Sequence, residues 1–122
     1  MDLTITRRKL NGRSCELLCQ GELDILTSPI LRDAILQAVK EGVPRVAVNL
    51  KGVSYMDSTG LGAIIASLKR VKEHGGDLCL VSPTKAVMKV LDIISGILHV
   101  VPVFHNEKEA LQYLHKEVGH EV

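Results

Sequence analysis

The stretch Arg45-Val46-Ala47-Val48-Asn49-Leu50, followed by Asp57-Ser58-Thr59-Gly60-Leu61-Gly62, decides the fold of this chain. The first segment is apolar apart from its ends, which is typical of a strand that is buried on both faces. The second segment opens a run in which apolar residues recur at helical spacing. A central strand that leads through a polar turn into an amphipathic helix indicates an α/β fold.

Before this stretch, the sequence predicts a β-hairpin and a helix. A first strand, Leu3 to Thr6, alternates apolar and polar residues, and Asn11-Gly12 is a strong hairpin signal before a second strand, Ser14 to Gln20. We expect Gly21-Glu22-Leu23-Asp24 to leave that strand as a loop. Ser28 is then expected to cap a helix that ends near Gly42.

After the stretch, strands and helices continue to alternate. We expect a strand from Leu78 to Val81, a third helix that closes near Gly96, an edge strand from His99 to Phe104, and a final helix capped by Asn106. The whole order predicts an α/β fold: a mixed sheet of about five strands with an N-terminal β-hairpin and four helices packed on it. We expect one domain over residues 1–122.

The composition excludes several function classes. The net charge is +1, charges of both signs are interspersed, and only Tyr55, Phe104 and Tyr113 are aromatic. Nucleic acid and membrane are therefore not expected partners, because the chain has neither a basic stripe nor aromatic stacking residues. The amino terminus shows no signal peptide, so we expect a cytoplasmic protein.

The cysteines do not indicate a metal site or a disulfide scaffold. Cys15 and Cys19 would lie roughly 13 Å apart on one face of a strand, too far for a disulfide or a shared metal ion. Cys79 is expected to point inward from another strand. We interpret all three as small buried hydrophobic residues.

The turn at Ser58 has three competing interpretations. Asp57 or Ser58 could simply cap the helix, with Gly60 and Gly62 permitting close packing. A nucleotide phosphate cradle would need a Gly-x-x-x-x-Gly-Lys-Ser/Thr or Gly-x-Gly-x-x-Gly motif, and a serine nucleophile would need a Gly-x-Ser-x-Gly elbow; none is present. A hydroxyl at a helix start also suits covalent phosphorylation, because free N–H groups and the helix dipole favour an anion there.

Four sequence segments carry a resemblance to a known family. They are Gly21-Glu22-Leu23-Asp24, Val48-Asn49-Leu50, Tyr55-Met56-Asp57-Ser58-Thr59-Gly60-Leu61-Gly62, and the stretch from Gly75-Gly76 to Val81. In this order and spacing the chain resembles the STAS-domain anti-sigma factor antagonists of bacteria. The segment from Met56 to Gly62 is specific, whereas each of the others alone is weak.

The resemblance implies a partner-switching mechanism. The unphosphorylated antagonist would bind an anti-sigma factor that is also a serine kinase, and so release the sigma factor. The kinase would then phosphorylate Ser58, and the phosphorylated antagonist would dissociate from it. A separate phosphatase would act on phospho-Ser58. ATP and magnesium would belong to the partner, so that this chain would be neither an enzyme nor the holder of a cofactor.

The resemblance also implies a partner-binding surface around Asp24 and the turn. Besides Ser58, the expected members are Glu22, Asp24, Asp57, Thr59, Gly60 and Leu61. For Glu22 a solvated loop acid is an equal alternative, and Thr59 could instead support the cap while Leu61 fills the core. The alternative function is a STAS assembly module in a transport or lipid-trafficking complex; an intrinsic nucleotide-binding or hydrolytic role ranks third.

Overall fold

The structure is a computed structural model that describes residues 2–10, 12–93 and 100–119. Its elements alternate between strand and helix after an opening pair of strands. They are β1 (Leu3–Lys9), β2 (Ser14–Leu23), α1 (Ser28–Lys40), β3 (Arg45–Met56), α2 (Ser58–Glu73), β4 (Asp77–Val81), α3 (Lys85–Ile93), β5 (Val103–Phe104) and α4 (Glu107–Gly119).

The strands form one mixed sheet in the spatial order β1-β2-β3-β4-β5. The pair β1–β2 is antiparallel, whereas β2–β3, β3–β4 and β4–β5 are parallel. This confirms the predicted mixed sheet with an N-terminal hairpin, and it places the apolar strand β3 at the centre. It also places β5 at the edge, as the proline at its start predicts.

Alternating side chains of the sheet enter two separate cores. Val46 and Val48 of β3 point to the larger core, which α1, α2 and α3 cover with residues such as Leu31, Ile64 and Leu91. Ala47, between those two valines, points to the opposite face, where α4 packs with Ala110 and Leu114. Helices therefore cover both faces of the central strands, which explains why β3 is buried without interruption from Arg45 to Leu50.

Several predicted element boundaries were wrong. Strand β2 continues through Leu23 rather than ending at Gln20, and β3 continues through Met56 rather than ending at Leu50, because the two strands keep pairing in parallel as far as Leu23 and Met56. Strand β5 has only two residues. The predicted strand start at His99 and helix end at Gly96 lie outside the described residues, as does the hairpin residue Asn11.

The predicted helix caps had mixed outcomes. Ser28 is not the cap of α1: Thr27 takes that position and makes no side-chain cap bond. The Thr27 hydroxyl oxygen instead accepts from the Asp24 N–H at 3.0 Å, and the hydroxyl donates to the Glu22 carbonyl, 2.6 Å away. Asn106 does cap α4, since its Oδ1 accepts from the Glu109 N–H at 2.9 Å. Its Nδ2 also donates to the Glu109 carboxylate, 2.9 Å away, so the return bond resembles a capping box but uses the Asn106 side chain instead of its backbone N–H.

A buried carboxylate ties the sheet to α4. Glu16 of β2 is 2% exposed, and its Oε2 accepts from Asn49 Nδ2 at 2.9 Å. Arg8 of β1 pairs with the other oxygen of Glu16 and also with Glu107 at the start of α4. Since a buried charge is tolerated only when it is paired and hydrogen-bonded, Arg8 and Asn49 are what permit Glu16 in this position.

We expect Arg8→Met to lower the free energy of unfolding by about 1–2 kcal/mol, because it leaves a buried carboxylate oxygen without its donor. The matched control is Arg7→Met on the same strand, which breaks only an exposed pair with Glu41 and should leave the transition close to that of the parent. Urea unfolding followed by circular dichroism measures both. Equal effects of the two substitutions would show that the buried cluster has no special role.

Candidate functional site

The carboxyl ends of β2 and β3 meet at one edge of the sheet. Leu23 pairs with Met56 at the end of the parallel register. The Asp57 N–H then donates to the Leu23 carbonyl at 3.2 Å, which joins the chain after β3 to the end of β2. Residues 24–27 and residues 57–60 therefore leave the sheet at the same edge from neighbouring strands, and together we call them the carboxyl-end rim. The structure thus brings Asp24 and the turn at Ser58 together.

Asp57 holds the start of α2. Its Oδ1 accepts from the backbone N–H groups of Thr59 at 2.9 Å and Gly60 at 3.1 Å, and from the Thr59 hydroxyl at 2.5 Å. The Thr59 hydroxyl in the first place, and then the two N–H groups, lower the pKa of Asp57 below its ordinary value. Asp57 is therefore a charged N-cap near neutral pH, and the alternative that Ser58 caps the helix is wrong.

Ser58 is the first residue of α2, and its side chain is exposed. Because Asp57 makes the cap, the Ser58 hydroxyl is not needed to start the helix. A visiting active site could reach this oxygen without unfolding the turn. The structure therefore meets the steric requirement for a phosphorylation site at Ser58.

The N–H groups at the start of α2 are less available to a phosphate than the sequence predicts. The sequence suggested that free N–H groups at the helix start would hold a phosphate, but the N–H groups of Thr59 and Gly60 already donate to Asp57. A phosphate on Ser58 would thus lie beside an occupied cap and next to a carboxylate. The phosphate would add negative charge at the surface, and the Thr59 and Gly60 N–H groups would not bind it.

The two glycines of the turn have different roles. A Cβ on Gly60 would lie 2.9 Å from the Leu23 carbonyl oxygen and 3.1 Å from Met56 Cγ, so only glycine fits where α2 approaches the end of β2. A Cβ on Gly62 would meet nothing within 4 Å. The interpretation that both glycines permit close packing therefore holds for Gly60 and is wrong for Gly62.

Asp24 organises its own loop. Its Oδ1 accepts from the N–H groups of Leu26 at 2.9 Å and Thr27 at 3.0 Å, while the Thr27 hydroxyl lies 3.2 Å away. This arrangement is an Asx turn, in which a carboxylate substitutes for a backbone acceptor. Asp24 thus has a structural task in the rim, and any contact with a partner comes in addition to it.

The other predicted site residues fall into two groups. Glu22 lies on β2 rather than in a loop, half-buried and paired with Tyr55 across the sheet, whereas Thr59 is exposed and bound to Asp57. Leu61 is 1% exposed and belongs to the core, and Gly60 is buried too. The alternative that Leu61 fills the core is therefore correct, and it offers a partner no side-chain surface in this conformation.

The structure adds residues to the rim that the sequence did not single out. Ile25 and Leu26 follow Asp24 and are 71% and 75% exposed, and Tyr55 at the end of β3 is 48% exposed. The sequence did contain a signal for this exposed surface, namely two adjacent aliphatic residues between the end of a strand and a helix.

The cysteines agree with their sequence interpretation. All are buried, Cys15 and Cys19 in the larger core and Cys79 in the core under α4. Burial raises the pKa of Cys15 to about 11 and the pKa values of Cys19 and Cys79 to about 12. These thiols therefore remain protonated near neutral pH and are poor nucleophiles or ligands.

A family model described as the STAS domain matches residues 7–110, so this chain belongs to the STAS domain family. The anti-sigma-B factor antagonist of Bacillus subtilis (strain 168) is 31% identical over 104 residues, covering 85% of this chain and 94% of that protein. The anti-sigma-B factor antagonist of Staphylococcus epidermidis is 36% identical over 87 residues, covering 70% of this chain and 81% of that protein.

Solved structures share the fold at lower sequence identity. An anti-sigma factor antagonist from Mycobacterium paratuberculosis superposes with a TM-score of 0.82 at 22% identity, over 93% of this chain and 95% of that one. The antagonist SpoIIAA in its unphosphorylated form gives 0.76 at 23% identity, over 93% and 97%. Phosphorylated SpoIIAA of Bacillus gives 0.69 at 22% identity, over 90% and 98%.

A structure with a transport-related name also shares the fold. A sulfate transporter family protein from Wolinella succinogenes gives a TM-score of 0.76 at 16% identity, over 92% of this chain and 93% of that one. At this identity the likeness concerns the fold alone. Among the helices that the structure describes, none is long and apolar enough to cross a membrane.

We expect Gly60→Ala to lower the free energy of unfolding by about 1–3 kcal/mol, because its Cβ overpacks the contact between α2 and the end of β2. Gly62→Ala is the matched control in the same helix. It should raise stability by up to about 1 kcal/mol, since alanine is the better helix former and the space is open. Chemical denaturation of both variants checks the opposite signs, and two destabilising substitutions would contradict this packing.

We expect Asp57→Ala to cost about 1 kcal/mol of stability near neutral pH through loss of the cap. Because folding lowers the pKa of Asp57, the charged cap stabilises the folded state fully at pH values above the ordinary pKa of 3.8. This stabilisation is lost as the pH falls through the lowered pKa of the folded state. The difference between parent and variant should therefore shrink below that ordinary value.

The control for this prediction is Asp57→Ser, which keeps a side-chain acceptor but has no charge that titrates in this range. Its stability should stay near that of the parent at neutral pH. Thermal unfolding of the three proteins between acidic and neutral pH provides the measurement. A difference between parent and Asp57→Ala that stays constant over this range would contradict the role of the Asp57 charge.

Proposed function

We propose that this chain is an anti-sigma factor antagonist that binds an anti-sigma factor kinase when Ser58 is unphosphorylated. In this proposal the kinase transfers a phosphate to Ser58, binding is lost, and a phosphatase restores the binding form. The observation that carries the proposal is the exposed Ser58 hydroxyl beside a charged N-cap in a rigid rim. Membership of the STAS domain family, with relatives named anti-sigma-B factor antagonists, supports the choice of partner.

The charge of Asp57 makes Ser58 an effective switch. A phosphoserine adds about −1.5 to −2 charges, and here those charges would lie next to a carboxylate whose lowered pKa keeps it ionised. A docked partner would have to bury or oppose this doubly charged group. A penalty of about 3 kcal/mol already weakens binding more than a hundredfold, so no refolding is required for release.

The turn is also built to keep its shape while its charge changes. The Asp57 cap and the close contact of Gly60 with β2 fix the backbone on both sides of Ser58. An exposed side chain can accept a phosphate without displacing core residues. We therefore propose that the free protein keeps one fold in both states, and that only its affinity for the partner differs.

The other functions considered for the chain have weaker support. The transport-related protein resembles it at a level that concerns the fold alone. An assembly module would not require an exposed hydroxyl beside an ionised cap. We further propose that the protein acts in the cytoplasm and uses ATP only through its kinase partner.

Incubation with ATP and an anti-sigma factor kinase from the same genome should add one phosphate to the parent, measured by mass spectrometry. Ser58→Ala should gain no phosphate and stay bound to the partner. Ser58→Asp should bind at least tenfold more weakly while unfolding near the temperature of the parent, because one charge at an exposed site opposes docking.

Thr59→Ala is the matched control, because it removes the neighbouring exposed hydroxyl of the same turn. This variant should still gain one phosphate. If the kinase still modifies Ser58→Ala, or if Ser58→Asp binds like the parent, the proposed switch is wrong.

A further inference from the structure

The carboxyl-end rim carries exposed apolar side chains that packing within the chain does not explain. Ile25 and Leu26, which we call the apolar pair, are 71% and 75% exposed. Ile30 in the first turn of α1 and Tyr55 at the end of β3 are also exposed. A single exposed aliphatic residue is ordinary, but neighbouring ones at a candidate binding site favour an interaction surface.

The apolar pair is held outward by a rigid loop. The Asp24 carboxylate accepts from the N–H groups of Leu26 and Thr27, and the Thr27 hydroxyl donates to the Glu22 carbonyl at 2.6 Å. Every one of these bonds fixes the backbone that carries the pair. A partner that covers preorganised side chains loses little conformational entropy at this surface, which favours binding.

The apolar pair lies close to Ser58. Leu23 contacts the start of α2 through its carbonyl, which accepts from Asp57, and through its packing against Gly60. Leu26 follows Leu23 by three residues, so their Cα atoms are at most about 11 Å apart. A partner interface of ordinary size, about 800 Å² on each side, reaches across this distance.

We infer that the apolar pair is the main apolar contact, or anchor, through which the anti-sigma factor kinase binds this chain. This inference rests on the proposed function. The position of the apolar pair indicates which molecule covers it. A kinase that takes Ser58 into its active site must approach the rim and cover the neighbouring loop. The partner therefore presents an apolar recess beside its active site. Ile25 and Leu26 supply affinity and partner selectivity, and Ser58 supplies the switch.

The test is a double variant, Ile25→Ser with Leu26→Ser, measured for partner binding by isothermal titration calorimetry with Ser58 unmodified. Since both side chains are already exposed, the unfolding temperature should stay near that of the parent. The dissociation constant should rise at least about 30-fold, which corresponds to about 2 kcal/mol. At high enzyme and substrate concentration the kinase should still place one phosphate on Ser58, because the acceptor is untouched.

The matched control is Ile93→Ser, which removes another aliphatic side chain that is 78% exposed. Helix α3 follows the carboxyl end of β4, which is parallel to β3, so it begins at the same edge of the sheet as the rim. Ile93 is its last residue, about 12 Å along the helix axis away from that edge. Binding by this variant should stay within about threefold of the parent. Equal losses in the control and in the double variant would overturn the inference, because general surface hydrophobicity would then explain both.

Other outcomes separate this inference from the proposed function. If the double variant binds like the parent while Ser58→Asp loses binding, the anchor is wrong and the switch stands. If the parent binds the anti-sigma factor but gains no phosphate, the switch is wrong, and loss of binding by the double variant still supports the anchor. If the parent dimerises in sedimentation experiments through the apolar pair and partner binding is unchanged, the pair is a self-association surface and the inference is overturned.

Discussion

The close approach of α2 to the end of β2 is the contact on which the site depends. The Leu23 carbonyl accepts from the Asp57 N–H, and the missing side chain of Gly60 lets the first turn of α2 lie against Leu23. This contact sets the position of the rim loop relative to the turn. A side chain at position 60 would push the start of α2 away from Leu23, and so would move Ser58 relative to the loop after Asp24.

Parallel pairing at this edge of the sheet overrides sequence signals that are typical of turns. Parallel pairing continues to the end of β2 and β3, through residues whose sequence has turn character, such as Gly21 and Gly52. At Gly21 the backbone φ is +128°, and a Cβ would lie 2.1 Å from the Asp2 carbonyl oxygen. Local sequence signals indicated a loop, but pairing with distant residues decided the outcome.

The general architecture was predictable because each signal had a local cause. The apolar run of β3 requires burial on both faces, and the helical spacing after Ser58 requires one buried stripe. The capping role of Asn106 follows from its own side chain and from Glu109. The fold class, the central place of β3 and the position of Ser58 at a helix start all followed from such local patterns.

The details of the site were less predictable, because they depend on single hydrogen bonds rather than on a repeating pattern. Thr27 precedes α1 in place of the predicted Ser28, and its hydroxyl donates to a carbonyl of β2 instead of capping the helix. The exposure of Leu26 depends on how Asp24 folds its loop. Hydrophobic periodicity indicates neither bond, because each is made by one side-chain oxygen atom in an irregular segment.

In the proposed interaction, charge and apolar surface have separate tasks at the rim, and this separation favours reversible binding. A switch that acted on the anchor itself would have to move buried side chains and would change the stability of the fold. Here the residues that fix the backbone, Asp24, Asp57 and Gly60, are distinct from the exposed hydroxyl of Ser58. A phosphate there can change the free energy of docking by several kcal/mol while the supporting hydrogen bonds stay in place. Under the proposed switch, the rim keeps one conformation and still has two binding states, because the phosphate changes only its charge.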